Sequence, residues 1–126
     1  MISLGVEGTA HTFSIGIAKD RKILANEKDM YKPPSGWGMD PSEVKKHHLE
    51  VKEDVLQKSL NKAGIKLEDV DIVCYSAGPG LPPCLKVTTE FSDKLSKKIN
   101  KPLIAVNHPI AHIEIGKLMT KASDPI

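Results

Sequence analysis

The sequence predicts an α/β fold in which a three-stranded meander is followed by alternating helices and strands. Three observations lead to this prediction. The first thirty residues contain three short apolar segments separated by polar turns. A long stretch with apolar residues at helical spacing comes next, and two short apolar runs, each followed by an amphipathic stretch, complete the chain. This βββαβαβα order is typical of one mixed sheet with helices packed against it.

The meander consists of "ISLGVEG", which ends at Gly8, then "TFSIGIAKD" and "KILANEKDMY". In the second segment Phe13, Ile15 and Ile17 alternate on one face. The turn "KDRK" between the second and third segments is short, and such a turn predicts antiparallel pairing. The loop "YKPPSGWGMD" contains two prolines and two glycines and separates the meander from the first helix.

The first helix is predicted over residues 41–63. Asp40 or Ser42 is a candidate N-cap, Pro41 suits the first helical position, and Gly64 is a candidate left-handed C-cap. One face carries residues at steps of four, three and four: Val44, His48, Val51 and Val55.

The remaining elements are a buried strand "VDIVCYS", a loop "AGPGLPP", a helix at about 85–99, a strand "PLIAV" and a last helix at about 109–119. This order matches one lobe of the actin/hexokinase/Hsp70-like ATPase fold, in which two lobes close around a nucleotide.

Length and composition limit the classes of function. A chain of 126 residues is one modest domain, and a net charge of +2 does not by itself indicate nucleic-acid binding. Cys74 and Cys84 are a weak case for a disulfide framework. The N-terminus does not resemble a signal peptide, and no apolar run approaches the roughly 20 residues of a membrane span. We therefore expect a cytoplasmic protein.

The stretch "AVNHPIAHIEIGK" contains His108 and His112 at a spacing of four, which places two imidazoles on one helix face. Imidazole is a common ligand of zinc and iron. A zinc protease has Glu after the first His, whereas this chain has Pro109, so the protease interpretation is rejected. His108 is predicted at the carboxyl end of a strand, where α/β sheets bind ligands. The alternative is a pair of structural histidines.

Three further motifs are candidates for function. Glu7, Thr9 and His11 in "EGTAHT" suit a nucleotide phosphate or a metal-bound water, or form an ordinary hairpin turn. The glycines of "SAGPGLPP" allow a phosphate or carbonyl to approach the backbone, or serve a tight turn. His47 and His48 point about 100° apart on a helix, which favours packing or a partner interface over a shared metal.

Taken together, "LGVEGTAHTFSIGIA", "HH" in the first helix, "SAGPGLPPCLKV" and "KPLIAVNHPIAHIEIGK" resemble the archaeal/eukaryotic catalytic subunit of the KEOPS complex, a TsaD-like family, over the whole chain. The resemblance implies a transferase that moves threonylcarbamoyl from threonylcarbamoyl-AMP to the adenosine beside the anticodon of ANN-decoding tRNA. It implies that His108 and His112 bind iron or zinc, with Glu7, Thr9 and His11 near the nucleotide or substrate.

The resemblance also implies partners and a missing part. The partners would be tRNA and the small dimerisation and kinase subunits of KEOPS. Residues 1–126 would form the N-terminal lobe, while a second lobe would supply most of the adenine-nucleotide site and the remaining metal ligands. We therefore expect this chain alone to be inactive. The family usually has Arg-Val-Gly where this chain has Lys86, Val87 and Thr88. A lysine does not replace the bidentate contacts of an arginine.

Two alternatives remain open at the level of the sequence. The chain could be a non-catalytic module that docks a small partner subunit through its helices. It could also belong to another carbamoyltransferase of the same superfamily. Catalytic residues cannot be assigned from the sequence.

Overall fold

The computed structural model of the chain describes residues 1–9, 12–32 and 40–107. In chain order the elements are β1 (Ile2–Glu7), β2 (Thr12–Lys19), β3 (Lys22–Met30), α1 (Pro41–Ala63), a 3₁₀ turn (Leu67–Asp69), β4 (Ile72–Gly78), α2 (Pro82–Ile99) and β5 (Leu103–Asn107). The predicted order is confirmed as far as β5. The helix predicted at 109–119 lies outside the described residues.

The five strands form one mixed sheet in the order β3-β2-β1-β4-β5. β1, β2 and β3 pair antiparallel, which confirms the predicted meander. β1 pairs parallel with β4, and β4 pairs parallel with β5. β1 therefore joins the antiparallel half of the sheet to the parallel half, with Leu4 opposite both Ile17 and Val73.

Both long helices pack on the same face of the sheet, because their apolar residues join alternate strand residues in a single core. Phe13 of β2 is fully buried near the centre, and its ring meets the edge of Phe91 of α2 at 5.9 Å between centroids. Such an edge-to-face pair stabilises the fold by more than the burial of its apolar area alone. The most buried apolar side chains of this core are Leu4, Val6, Phe13, Ile15, Ile17, Val55, Val70 and Val73.

The ends of α1 follow the local chemistry of its sequence. The Asp40 carboxylate accepts a hydrogen bond from the Ser42 backbone N–H at 3.0 Å, and Pro41 begins the helix. Gly64 ends it with φ of 70°, a left-handed conformation that costs glycine little. Both predicted boundaries are confirmed, and Asp40 is the N-cap.

The second helix begins earlier than predicted. The sequence pattern predicts that the two prolines of "GPGLPP" belong to the loop, but α2 starts at Pro82 and not near residue 85. Proline suits the first turn of a helix because the backbone N–H groups there have no carbonyl partner within the helix. The Leu85 N–H then donates to the Leu81 carbonyl oxygen at 2.9 Å as one of the first helical hydrogen bonds.

The cysteines and the long helices both bear on expectations from composition. Cys74 and Cys84 are both free thiols. Within the described ranges, neither long helix is apolar enough over a sufficient length to cross a membrane.

The N-cap of α1 provides a test of this local chemistry. We expect Asp40→Ala to lower the free energy of unfolding by about 1 kcal/mol, because the Ser42 N–H loses its acceptor. Asp40→Asn is the matched control, since an asparagine oxygen can accept the same hydrogen bond. Urea unfolding followed by circular dichroism measures both variants, and equal losses in the two would contradict the cap assignment.

Candidate functional site

The candidate site lies at the carboxyl-terminal edge of the sheet, which is the side where the three parallel strands end. The carboxyl ends are Glu7 of β1, Gly78 of β4 and Asn107 of β5. β4 and β5 end opposite each other, with Gly78 paired with Asn107 after a register shift between Ser76 and Gly78. In open α/β sheets this edge is the usual place for ligands. His108 directly follows Asn107 in the sequence, but His108 and His112 lie outside the described residues.

The turn after β1 is held by the side chain of Glu7. Its Oε1 atom accepts hydrogen bonds from the Thr9 backbone N–H, at 3.1 Å, and from the Thr9 hydroxyl. Thr9 is buried, whereas Glu7 is partly exposed. The turn therefore fixes the direction of one carboxylate at the edge of the sheet. Of the three candidates in "EGTAHT", the structure brings Glu7 and Thr9 together, and His11 lies outside the described residues.

The loop after β4 is locked to this turn. The Leu81 N–H donates to the Thr9 carbonyl oxygen at 2.8 Å. A Cβ atom at Gly80 would overlap that carbonyl oxygen and would come within 2.6 Å of the Thr9 Cβ. The loop also contains a cis peptide bond between Gly78 and Pro79. Gly80 is thus required for the contact between the two loops, which favours the tight-turn interpretation of this motif.

The helices support the turn from the other side. A Cβ atom at Gly8 would lie 2.5 Å from the Thr88 Oγ1 of α2 and 3.3 Å from the His48 Cδ2 of α1. The Thr88 hydroxyl donates to the Cys84 carbonyl oxygen at 3.1 Å, which fixes its position. Gly8 therefore lets the backbone of the turn rest directly on side chains of both helices.

One histidine of the pair in α1 is buried and the other is partly buried, as the packing interpretation predicts. His48 is fully buried, and the side chain of His47 is 13% exposed. The two rings are in direct contact, which the sequence does not predict: their Nδ1 atoms are 2.9 Å apart. His47 Nε2 also lies 2.6 Å from Asp29 Oδ1 of β3. The described residues contain no group of three or more His, Cys, Asp or Glu side chains that could hold a metal.

This edge of the sheet carries both a carboxylate and the positive end of a helix dipole. α2 begins two residues after Gly80, so the positive end of its dipole lies at the same edge as Glu7. Cys84 in the first turn of α2 is not a candidate nucleophile. It is fully buried, and burial raises the pKa of its thiol, so the thiol stays protonated at neutral pH.

Comparison with known proteins adds to this geometry. Residues 21–126 match the family model "TsaD: tRNA N6-adenosine threonylcarbamoyltransferase". The whole chain is 48% identical to the protein of that name from Saccharolobus islandicus and covers 38% of it. It is 47% identical to the "Probable bifunctional tRNA threonylcarbamoyladenosine biosynthesis protein" of Thermoplasma volcanium and covers 24% of it.

The chain belongs to the TsaD family. The resemblance predicted from the motifs is thereby confirmed. The chain spans well under half the length of these relatives, so it corresponds to only part of each of them.

Solved structures show the fold. YeaZ from Pseudomonas aeruginosa matches with a TM-score of 0.67 at 16% identity, over 84% of this chain and 42% of that one. RuvC from T. thermophilus in complex with Holliday junction substrate matches with a TM-score of 0.51 at 13% identity, over 86% of this chain and 65% of that one. Together with the sheet topology, these likenesses confirm the predicted α/β lobe.

The contact between the two loops can be tested with a pair of glycine substitutions. We expect Gly80→Ala to lower the free energy of unfolding by roughly 1–3 kcal/mol, because the new Cβ must displace the Thr9 backbone. Gly5→Ala in β1 is the control, since a Cβ there meets nothing within 4 Å. Urea unfolding measures both variants. If Gly80→Ala is no more destabilising than Gly5→Ala, the two loops are not in the described contact.

Proposed function

We propose that this chain forms part of a tRNA N6-adenosine threonylcarbamoyltransferase, which moves threonylcarbamoyl from threonylcarbamoyl-AMP to the adenosine beside the anticodon of ANN-decoding tRNA. Membership of the TsaD family supports the class of reaction. The observation that carries the proposal is the common edge of β1, β4 and β5. At this edge the residue before His108 lies in the same row of strand ends as the Glu7 turn and the glycine loop.

Residues 1–126 would act as the N-terminal lobe, and a second lobe would supply most of the adenine-nucleotide site. The partial coverage of the relatives is consistent with this division. The expected partners are tRNA and the small dimerisation and kinase subunits of KEOPS, in the cytoplasm. The bifunctional Thermoplasma relative supports close coupling to a second function, because its name places two functions in one protein.

His108 and His112 would hold one iron or zinc ion. Imidazole nitrogen is a donor that both metals accept, so the chemistry of the pair fits the ion. Protein metal sites usually have at least three protein ligands, and the remaining ones would come from outside this chain. The bound ion would supply Lewis-acid polarisation of the threonylcarbamoyl carbonyl.

Glu7 and Thr9 would bind substrate at the same edge. An ionised carboxylate accepts hydrogen bonds and repels phosphate, so Glu7 suits a substrate amino or hydroxyl group, or a metal-bound water, better than a nucleotide phosphate. Thr9 would keep this carboxylate in one orientation through its N–H and hydroxyl. The role of His11 near the nucleotide or substrate stays a prediction.

The decisive experiment uses the complete gene product that contains this chain. We expect the double variant His108→Ala/His112→Ala to lose at least about tenfold in metal affinity, because two ligands are removed. Threonylcarbamoyl transfer should be lost together with the metal. Elemental analysis measures bound iron and zinc, and incorporation of labelled threonine into an ANN-decoding tRNA measures transfer.

A tRNA that does not decode ANN codons serves as the substrate control, and Glu50→Ala on the exposed face of α1 serves as the protein control. Retention of both metal and transfer in the double variant would contradict the metal assignment. A wild-type protein that binds a small partner subunit stably, without metal and without transfer, would support the docking module instead.

A further inference from the structure

Three side chains form a hydrogen-bonded row from the edge strand of the sheet to the candidate site. Asp29 of β3 lies 2.6 Å from His47 Nε2, and His47 Nδ1 lies 2.9 Å from His48 Nδ1. The Asp29 side chain is 42% exposed, whereas His48 is fully buried. The row therefore passes from solvent at β3 into the core beneath the turn at residues 7–9.

The hydrogen-bonding groups of these three side chains determine which atom donates and which accepts along the row. An ionised carboxylate can only accept, so His47 Nε2 donates its hydrogen to Asp29. The two facing Nδ1 atoms share one hydrogen, because two donors or two acceptors at this distance would repel. Asp29 thus orients His47, and His47 orients His48. The ring of Tyr31 adds a lateral restraint, with its centroid 5.9 Å from that of His47.

The end of the row supports the turn that carries Glu7. The His48 ring packs against Phe13 at 5.4 Å between centroids, and its Cδ2 atom lies beneath Gly8. Gly8 lies between Glu7 and Thr9, whose N–H and hydroxyl donate to the Glu7 carboxylate. A tilt of the His48 ring would therefore shift the backbone that joins the carboxylate to these donors. A buried polar ring at an apolar helix position is costly unless it is hydrogen-bonded, and leucine would fill this volume without that requirement.

We propose that His48 is a positioning residue for the Glu7 carboxylate, held in its orientation by the row Asp29–His47–His48. This inference rests on the proposed function in one respect only, the use of the Glu7 turn by the transferase. The row sets the height and tilt of the turn, and Glu7 itself contacts the substrate. Displacement of a reacting group by about 1 Å can cost on the order of a hundredfold in rate.

The sharpest test begins at the exposed end of the row, where folding is least affected. In the complete gene product, Asp29→Ala removes the acceptor of His47, and Asp29→Asn keeps an oxygen acceptor at the same position. We expect Asp29→Ala to lower the kcat of threonylcarbamoyl transfer while the KM for tRNA stays unchanged. Asp29→Asn should retain most of the wild-type kcat.

A second pair of variants tests the buried end. His48→Phe keeps an aromatic ring at this position and removes the hydrogen bond to His47, and His48→Asn keeps a polar atom near the position of Nδ1. We expect His48→Phe to lower kcat roughly tenfold to a hundredfold, the range expected for a misplaced reacting group. His48→Asn should recover much of this loss. Glu50→Ala on the exposed face of α1 is the control and should behave as wild type.

A readout that is independent of transfer keeps the two proposals separate. Hydrogen–deuterium exchange of the Thr9 amide, which donates to Glu7, should be faster in His48→Phe than in wild type and His48→Asn. Wild-type exchange in His48→Phe, or equal losses of kcat in both His48 variants, would overturn the positioning role. If the wild-type protein does not transfer threonylcarbamoyl, the proposed function fails, and the exchange comparison still decides whether His48 positions the turn.

Discussion

The hydrogen bond between the Leu81 N–H and the Thr9 carbonyl oxygen is the interaction on which the candidate site depends. It joins the loop after β4 to the turn after β1, so two segments that are distant in sequence act as one surface. Gly80 permits this approach because it has no side chain, and Gly8 lets the same turn rest on α1 and α2. The direction of the Glu7 carboxylate and the start of α2 are therefore set together.

Much of the fold could be predicted because its signals are local. The alternation of β2, the N-cap at Asp40 and the left-handed Gly64 are each determined by residues within one turn or strand. The predicted start of α2 is wrong by about three residues, because a pair of prolines serves equally well in a loop and in the first turn of a helix.

The candidate site could be predicted only in part. The order of elements places the polar turn with Glu7 after the first strand and the glycine loop between a strand and a helix, which made both of them candidates. The contact of His47 and His48 could not be predicted, since helical geometry separates adjacent side chains by about 100° and only their rotamers bring the rings together. Asp29 joins them through the pairing of β3 with β2, which is tertiary information. The assignment of His108 and His112 as metal ligands stays a prediction.

The central place of β1 in a mixed sheet has a consequence for the order of folding. β1 meets β2 after a short turn, but its contact with the β4 side joins distant residues, as the hydrogen bond from the Ile2 N–H to Asp71 over a sequence separation of 69 shows. Closing so long a loop carries an entropic cost that the hairpins do not have. We therefore expect the meander to form early during synthesis. We expect the contact between Thr9 and the loop after β4 to form only after α2 has been synthesised, because α2 supports the same turn beneath Gly8.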